Sequence, residues 1–252
     1  MRAHPGAARF GVIALAVVVW EVLARWFGNP LFVAPPSTTL VATIALLHDP
    51  QVVHALLAAL RELATAFAIA VVAGLVVALP LGLSTFWRGA FLPLILGLYA
   101  IPQVTVLPLF VRIFGLGPPT KIAFGVTHGI FAVILTVVAA MRTIDPLLLR
   151  AAKSLGASRR QLIVAVVLPS LVPSLFTGMR LAMSGVLLGV LLAELYVSTT
   201  GIGFFTQAFT NAFAPAKLFG LILLLAAIAV TLNELARMAE RRLGRWRESG
   251  GS

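Results

Sequence analysis

The sequence contains no cysteine and very few charged residues. The absence of cysteine excludes disulfides, thiol catalysis and cysteine-ligated metal sites. Only 11% of the 252 residues are charged, whereas 60% are hydrophobic, and the mean hydropathy is +1.05. Average soluble proteins carry about 25% charged residues, and a soluble domain of this length has too little interior to hide so much apolar surface. The composition therefore predicts an integral membrane protein.

Several catalytic motifs are also missing. There is no G-x-x-x-x-G-K-[ST] phosphate loop. The stretch GLGPPTK at residues 115–121 has similar residue types, but its spacing differs and its prolines lack the N–H groups that would bind phosphate. There is no H-E-x-x-H motif, and the 4 histidines are scattered. We therefore expect no catalytic residue, no metal site and no bound cofactor in this chain, so any ATP hydrolysis must occur on a partner.

Acidic residues are scarce, and the net charge is +11. Such a charge is typical of nucleic-acid-binding proteins, but here the cations lie between and beyond apolar segments instead of forming one basic face. The positive-inside rule explains this distribution better, because Lys and Arg collect in the cytoplasmic loops of membrane proteins. With the N-terminus inside, most of the 19 Lys and Arg residues fall on the cytoplasmic side. We predict that both termini are cytoplasmic.

Long apolar runs are the main positive feature. A spanning helix needs roughly 20 apolar residues. The six candidate runs are Phe10–Phe27, Leu63–Leu83, Phe91–Phe114, Ile122–Met141, Leu171–Val197 and Leu218–Met238. The first run follows Arg2 and Arg9, as in a signal peptide. It is long enough to span and lacks a clean cleavage site, so we expect it to be retained. The sequence predicts an all-α integral membrane protein with six transmembrane helices.

Residues 1–60 are predicted to hold the first span and a short helix. The segment Ser37–Leu47 follows two prolines, and its Ser-Thr-Thr start is typical of a helix N-cap. We interpret it as an amphipathic helix at the outer surface. Glu21 and Arg25 are four residues apart near the outer end of the first span, which suits an ion pair. Residues 61–240 are predicted to form the membrane core, and residues 241–252 a basic cytoplasmic tail that contacts anionic lipid.

The longest cytoplasmic connection lies between the fourth and fifth predicted spans. Asp145 and Pro146 indicate a helix start with proline in the first turn, and Gly156 indicates a C-cap. A second helix is predicted to run from near Ser158 to Pro169. Two short helices joined by a tight glycine turn suit docking into a groove on a soluble partner. A helical hairpin that only closes the bundle is the alternative.

Two stretches of this connection, Ala151–Gly156 and Val166–Pro169, are separated by nine residues. They resemble the EAA loop of binding-protein-dependent ABC importers, whose motif reads EAA, three residues, Gly, nine residues, then I-x-L-P. Val stands here in place of Ile. Arg150 departs from the family, because Glu is usual there. The resemblance implies that residues 142–169 carry a coupling helix for an ATPase subunit, and Arg150 suggests a co-adapted partner surface. The implied coupling residues are Arg150, Ala151, Ala152, Lys153, Leu155, Gly156, Ala157, Ser158 and Arg159.

Other segments resemble the nitrate/sulfonate/taurine branch of this family. They are Pro102–Gly117, Asp145–Ser158, Ala193–Leu195 and Gly201–Gly203. The resemblance covers roughly residues 61–232. It implies the type I importer permease fold, a dimer with a second permease copy, an external solute-binding protein, and two cytoplasmic ATPase subunits that bind ATP and Mg. The implied location is the bacterial inner membrane.

Polar residues within the predicted spans are candidate functional groups, because they are costly at membrane depth. Glu194 lies late in the fifth span, where an exposed carboxylate would repel an anionic substrate. We expect it to be structural, paired with a cation or a helix-end donor. Candidates for lining a pathway are Gln103, Thr105, His128 and Ser184, with hydrogen bonds between helices as the alternative.

Together these features predict the permease subunit of an ATP-driven, binding-protein-dependent importer. It would form the pathway for small organic or inorganic anions of the sulfonate, taurine or nitrate type and couple to a separate ATPase. A secondary transporter or channel not driven by ATP is the alternative. Secondary transporters often show two similar halves, and no repeat is evident here. An intramembrane enzyme would need clustered His, Asp or Glu, and the sequence shows no such cluster.

Overall fold

The computed structural model describes residues 5–197 and 201–244, and every regular element within these ranges is helical. The predicted all-α class is therefore confirmed. In chain order the helices are α1 Pro5–Trp26, α2 Pro36–Leu47, α3 Pro50–Leu83, α4 Thr85–Ala100, α5 Leu107–Phe114, α6 Pro118–Arg142, α7 Pro146–Ser154, α8 Arg159–Leu162, α9 Leu168–Val197, α10 Ile202–Asn211 and α11 Pro215–Gly244. A 3-10 turn, Gln103–Val106, precedes α5, and a π-helical turn, Ile163–Val167, joins α8 to α9.

Four of the described stretches are helices long and apolar enough to cross a membrane. They are α3, α6, the combined α8–α9 helix and the part of α11 from Pro215 to Leu235. These stretches coincide with the second, fourth, fifth and sixth predicted spans. The first predicted span falls on α1, whose side chains are described only from Gly11. The count of six spans stays a prediction.

The third predicted span, Phe91–Phe114, is wrong as one continuous helix. The chain bends by 85° between α4 and the helix that begins at Gln103. Pro102 has no N–H, and its ring disfavours the helical conformation of the residue before it. Ile101 is accordingly extended, with φ −67° and ψ 130°. The two pieces together amount to at most one broken span.

The prediction that the loop's second helix ends at Pro169 is also wrong. The helix continues from Arg159 to Val197 over 39 residues. Just before the proline, the N–H of Leu168 donates to the carbonyl oxygen of Ile163, which is the i to i−5 pattern of a π-turn. This wider turn lies where a proline ring would clash with the preceding helical turn, and we attribute the uninterrupted helix to it.

The described residues fall into two compact units, and the first comprises those within residues 1–59 and 198–228. Its buried core joins α2, α3, α10 and α11, and consists of Leu46, Val52, Ala55, Leu56, Ala59, Ile202, Leu221 and Leu224. Gly220 lets α11 approach α2 closely, since a Cβ there would lie 3.1 Å from the backbone nitrogen of Thr43. Small residues at helix contacts are typical of membrane bundles.

Helix α2 begins differently from the prediction. Its N-cap is Pro35, which forms no side-chain cap, and Pro36 occupies the first turn. The cap comes from α1 instead: Glu21 Oε2 accepts from the backbone N–H of Ser37 at 3.0 Å, and Glu21 Oε1 accepts from the Ser37 hydroxyl at 2.8 Å. The structure also pairs Glu21 with Arg25 at 2.5 Å. Glu21 therefore joins α1 to the start of α2.

The second unit comprises the described residues within 60–197 and 229–244 and is built around the α6–α9 contact. Here glycine makes room for the opposite helix. A Cβ on Gly185 would lie 2.5 Å from the carbonyl oxygen of His128, and one on Gly125 would lie 2.6 Å from Val190 Cγ2. Ala182 is also fully buried at this contact. Close packing of this kind holds membrane helices together without a hydrophobic driving force between them.

Candidate functional site

The loop at residues 142–169 begins with a capped helix. Asp145 is the N-cap of α7, and its Oδ1 accepts from the N–H of Leu147 at 2.8 Å. Pro146 follows at the first helical position, where its missing N–H costs nothing and its φ is already helical. These two residues determine where α7 starts, as the sequence predicts.

A left-handed glycine ends α7. Gly156 has φ +80°, a conformation that residues with a Cβ rarely adopt. The N–H of Gly156 donates to the carbonyl oxygen of Lys153, and that of Ala157 donates to the carbonyl oxygen of Ala152. These two bonds make the Schellman motif, which satisfies the terminal carbonyls of a helix. The turn is therefore fixed by backbone geometry.

The next helix starts with a complete capping box. The Ser158 hydroxyl accepts from the N–H of Gln161 at 3.3 Å, while Gln161 Oε1 accepts from the N–H of Ser158 at 2.8 Å. This reciprocal pair satisfies two helix-terminal donors. Because α8 continues into α9, the cap also defines the start of a 39-residue helix. The turn between α7 and α8 is thus held on both sides.

The loop presents apolar side chains at its surface. Leu147, Leu148 and Leu155 are 65%, 52% and 88% exposed. Ala152 and Ala157 are half-buried, and the other predicted coupling residues are exposed. An apolar surface with a polar rim marks an interaction site. A rigid turn that exposes leucines is suited to docking in a groove.

The charge around these leucines is positive. The exposed cations are Arg150, Lys153, Arg159 and Arg160. Asp145 is the one acidic residue between positions 142 and 169, and its carboxylate already accepts a backbone N–H. Arg150 donates from Nε to the carbonyl oxygen of Pro146 at 3.4 Å, which is a long contact. The loop therefore suits a partner surface with acidic groups around an apolar groove.

Two of the four predicted pathway residues come together at the break in the third span. Gln103 Nε2 donates to the carbonyl oxygen of Thr127 at 3.3 Å. The Thr127 hydroxyl donates to the carbonyl oxygen of Phe124 at 2.7 Å and also lies 3.3 Å from Gln103 Oε1. His128 Nδ1 lies 3.0 Å from the carbonyl oxygen of Phe124. A carbonyl only accepts, so Nδ1 carries the hydrogen and Nε2 is the acceptor of the neutral ring.

The structure does not bring Thr105 or Ser184 into this group. The Thr105 hydroxyl donates to the carbonyl oxygen of Pro102 at 2.7 Å. The Ser184 hydroxyl lies 3.4 Å from the carbonyl oxygen of Arg180. Such local bonds are usual for hydroxyls in helical segments. Their predicted role as lining residues stays a prediction.

An apolar cavity of about 500 Å³ lies beside the broken span. Its lining residues are Val104, Leu107, Pro108, Val111, Tyr196 and Val197. Among the described lining residues, Tyr196 has the one polar side chain. The cavity is large enough for a small solute, but none of the described lining residues is a cation that would hold an anion.

Glu194 belongs to a buried group of three charged side chains, here called the charge cluster: Glu62 of α3, Lys121 of α6 and Glu194 of α9. Lys121 Nζ lies 2.7 Å from Glu62 Oε1 and 3.0 Å from Glu194 Oε1. The exposed fractions of the three side chains are 7%, 5% and 1%. One ammonium group thus joins three helices within the second unit.

Sequence reasoning missed two members of the charge cluster. Lys121 entered the topology prediction only as one of the 19 Lys and Arg residues, and Glu62 had no predicted role. Lys121 and Glu194 are 73 residues apart, and no local pattern links residues at such a distance. The sequence does contain one signal. Glu62 directly precedes the apolar run Leu63–Leu83, and Lys121 directly precedes the run Ile122–Met141.

Comparison with known proteins identifies the family. The model of the binding-protein-dependent transport system inner membrane component matches residues 70–246, more than half of the chain. The taurine transport system permease protein TauC of Escherichia coli K12 is 32% identical over 94% of this chain and 88% of its own length. The putative aliphatic sulfonates transport permease protein SsuC of Bacillus subtilis 168 is 26% identical over 99% and 93%.

A third relative is similar over nearly the same length. The formylaminopyrimidine transport permease protein ThiX of Halalkalibacterium halodurans is 25% identical over 93% of this chain and 93% of its own. The apolar helices described above agree with a multi-pass membrane protein. The chain belongs to the binding-protein-dependent transport system inner membrane component family and is an ABC transporter permease of the taurine/sulfonate branch.

Proposed function

We propose that this chain forms the translocation pathway of an ATP-driven importer and that the loop at residues 142–169 docks a separate ATPase subunit. The loop geometry supports this proposal: a Schellman turn at Gly156 and a capping box at Ser158 hold exposed Leu155 and its cations in one rigid turn. A rigid docking element loses little conformational freedom on binding. It also transmits motion directly, because α8 is continuous with the α9 span.

The proposed assembly contains two permease copies, two ATPase subunits inside the cell and a solute-binding protein outside. ATP and Mg bind to the ATPase subunits. Both termini of the permease are cytoplasmic in this arrangement, which agrees with the excess of Lys and Arg on that side. The basic C-terminal tail contacts anionic lipid at the same membrane surface.

The proposed substrates are small organic or inorganic anions of the sulfonate, taurine or nitrate type. The names of two relatives, which refer to taurine and aliphatic sulfonates, support this class. Gln103 and His128 would contribute polar groups to the pathway without a fixed charge. A neutral polar wall lets an anion pass without trapping it, because a site that conducts must also release its solute.

Photocrosslinking tests the docking proposal. A photoreactive residue at Leu155 is expected to trap the ATPase in reconstituted complexes, because this side chain is 88% exposed at the turn. Leu31, an exposed leucine in the segment predicted to lie outside, is the matched control. Equal trapping of the ATPase from both positions would contradict the proposed loop contact and topology.

Uptake into proteoliposomes separates this function from the alternative. With the ATPase and the solute-binding protein present, taurine uptake is expected to require ATP. Uptake that persists without the ATPase, and collapses when the proton gradient is removed, would instead identify a secondary transporter.

A further inference from the structure

We propose that Glu62 is a proton-binding group, so that within the charge cluster its carboxyl group holds a proton at neutral pH. This proton lies in the joint that one lysine forms between α3, α6 and α9, and it does not depend on the transport function.

Two carboxyl groups lie against the same ammonium group. Lys121 Nζ is 2.7 Å from Glu62 Oε1 and 3.0 Å from Glu194 Oε1, and all three side chains are at most 7% exposed. Their distances are those of charge-assisted hydrogen bonds. A single positive charge is therefore divided between two carboxyl groups in a region that excludes water.

The second oxygen of Glu62 has no partner. Glu62 Oε2 is buried and accepts no hydrogen bond in the part of the chain that the structure describes. An ionised carboxylate is best stabilised by donors at both oxygens, and a buried charge without them costs far more than the neutral acid. Protonation at Oε2 removes the charge while Oε1 continues to accept from Lys121. The new O–H has no acceptor among the described residues, which is the smaller cost.

The surroundings of the charge cluster are apolar. Buried neighbours along the three helices include Leu63, Ala66, Phe124, Val190 and Ala193. Other charged side chains are described on α3, α5, α6, α9 and residues 229–244 of α11. They are Arg61, Arg112, Arg142, Arg180, Glu234 and Arg237.

None of these groups supplies Glu62 with a second cation in an observed contact. Arg61 and Arg112 are exposed, and Glu234 pairs with Arg237 at the surface. Arg142 lies at the far end of α6, and Arg180 lies fourteen residues before Glu194, about 21 Å along a helix. Lys121 is the cation that contacts Glu62 among the described residues.

The proton makes the joint between the three helices sensitive to pH. Its loss leaves two ionised carboxylates against one ammonium group, and like charges at such distances repel strongly in an interior of low polarity. An alkaline environment is therefore expected to weaken the contact of α3 with α6 and α9.

Infrared spectroscopy of the full chain in ether-lipid bilayers tests the proposal, because ether lipids have no ester carbonyl absorption. At neutral pH the wild type is expected to show the band of a protonated carboxyl group, since exposed Asp and Glu are ionised there. The band should be lost in Glu62→Gln and retained in Glu234→Gln, the control at an exposed ion pair. In the wild type it should fade as the pH is raised.

The outcomes that overturn the proposal are equally definite. A wild type without a protonated carboxyl band at neutral pH overturns it, and so does a band that survives in Glu62→Gln. If Glu62→Gln fails to fold, as judged by its helix content and size-exclusion profile, Glu62→Asp replaces it. The band should then shift or vanish, because a different acid at a different position carries the proton, and an unchanged band would overturn the assignment to Glu62.

Discussion

Glycine serves opposite purposes at the α6–α9 contact and at the turn of the 142–169 loop. Between the helices, Gly129 has an ordinary helical backbone, but a Cβ would overlap Val186 Cγ2 and lie 3.1 Å from the carbonyl oxygen of Ala182. At Gly156 nothing lies within 4 Å of a Cβ, but φ is +80°. At the α6–α9 contact, space and buried charge limit which substitutions are tolerated. In the loop, backbone conformation and helix capping limit them. Substitutions should therefore fail for different reasons in the two regions.

The largest effect is expected from Lys121→Met in the buried region. Removing one partner of a buried ion pair costs about 3–5 kcal/mol, because the opposite charge stays in the interior. We expect this loss in the free energy of unfolding, measured in mixed detergent micelles. The control is Arg237→Met, which removes an exposed pair and should cost about 0–1 kcal/mol. Equal losses in the two variants would show that the charge cluster behaves like a surface pair.

The next largest effect is expected from Gly129→Ala, which tests whether the α6–α9 contact has room for a methyl group. Overpacking a well-packed contact typically costs about 1–3 kcal/mol, and here the added methyl group meets Val186 and the backbone of Ala182. Gly97→Ala is the matched control, since Gly97 lies in α4 with nothing within 4 Å. Alanine there should be neutral or stabilising by up to about 1 kcal/mol. The same unfolding measurement compares the two, and a loss at Gly97 as large as at Gly129 would contradict the packing argument.

The two regions also differ in how far the sequence predicts them. The start and turn of the 142–169 loop follow from residues within a few positions of each other: Pro146 begins α7, Gly156 ends it, and Ser158 caps α8. The end of the second helix does not follow, because Pro169 is a stop signal that the π-turn before it overcomes. Local chemistry predicts local structure, and fails where neighbouring turns adjust to accommodate a proline.

The buried region depends on contacts between distant segments. The sequence predicts that Glu194 is paired, and the structure places Lys121 against it, but the choice of Lys121 and the presence of Glu62 depend on how three helices pack. The bond between Gln103 and Thr127 depends in the same way on the 85° bend at the third span. Neither the bend nor the packing is encoded in a periodicity of apolar residues.

In the loop, Gly156→Val and Gly156→Asn separate conformation from size. A left-handed backbone costs an ordinary residue about 1–2 kcal/mol, while Asn tolerates it better. We expect Gly156→Val to reduce both co-purification with the ATPase and ATP-dependent uptake, and Gly156→Asn to retain more of each. Overall stability should change little, because the site is exposed. Equal behaviour of the two variants would mean that the turn does not need a left-handed residue.

The smallest effect is expected from Ser158→Ala, which removes one half of the capping box. Losing an N-cap side chain costs about 1 kcal/mol, and the loss is confined to the first helical turn because the rest of the 39-residue helix is held by its own bonds. Hydrogen exchange should therefore accelerate at the amides of Arg159–Leu162 and stay unchanged in α9. Ser158→Asp should restore protection, since Asp is as good a cap as Ser, and Ser184→Ala is the control within α9. Acceleration that spreads along α9 would show that the loop and the span unfold as one unit. The 142–169 loop and the α6–α9 contact would then differ in their chemistry but not in their local stability.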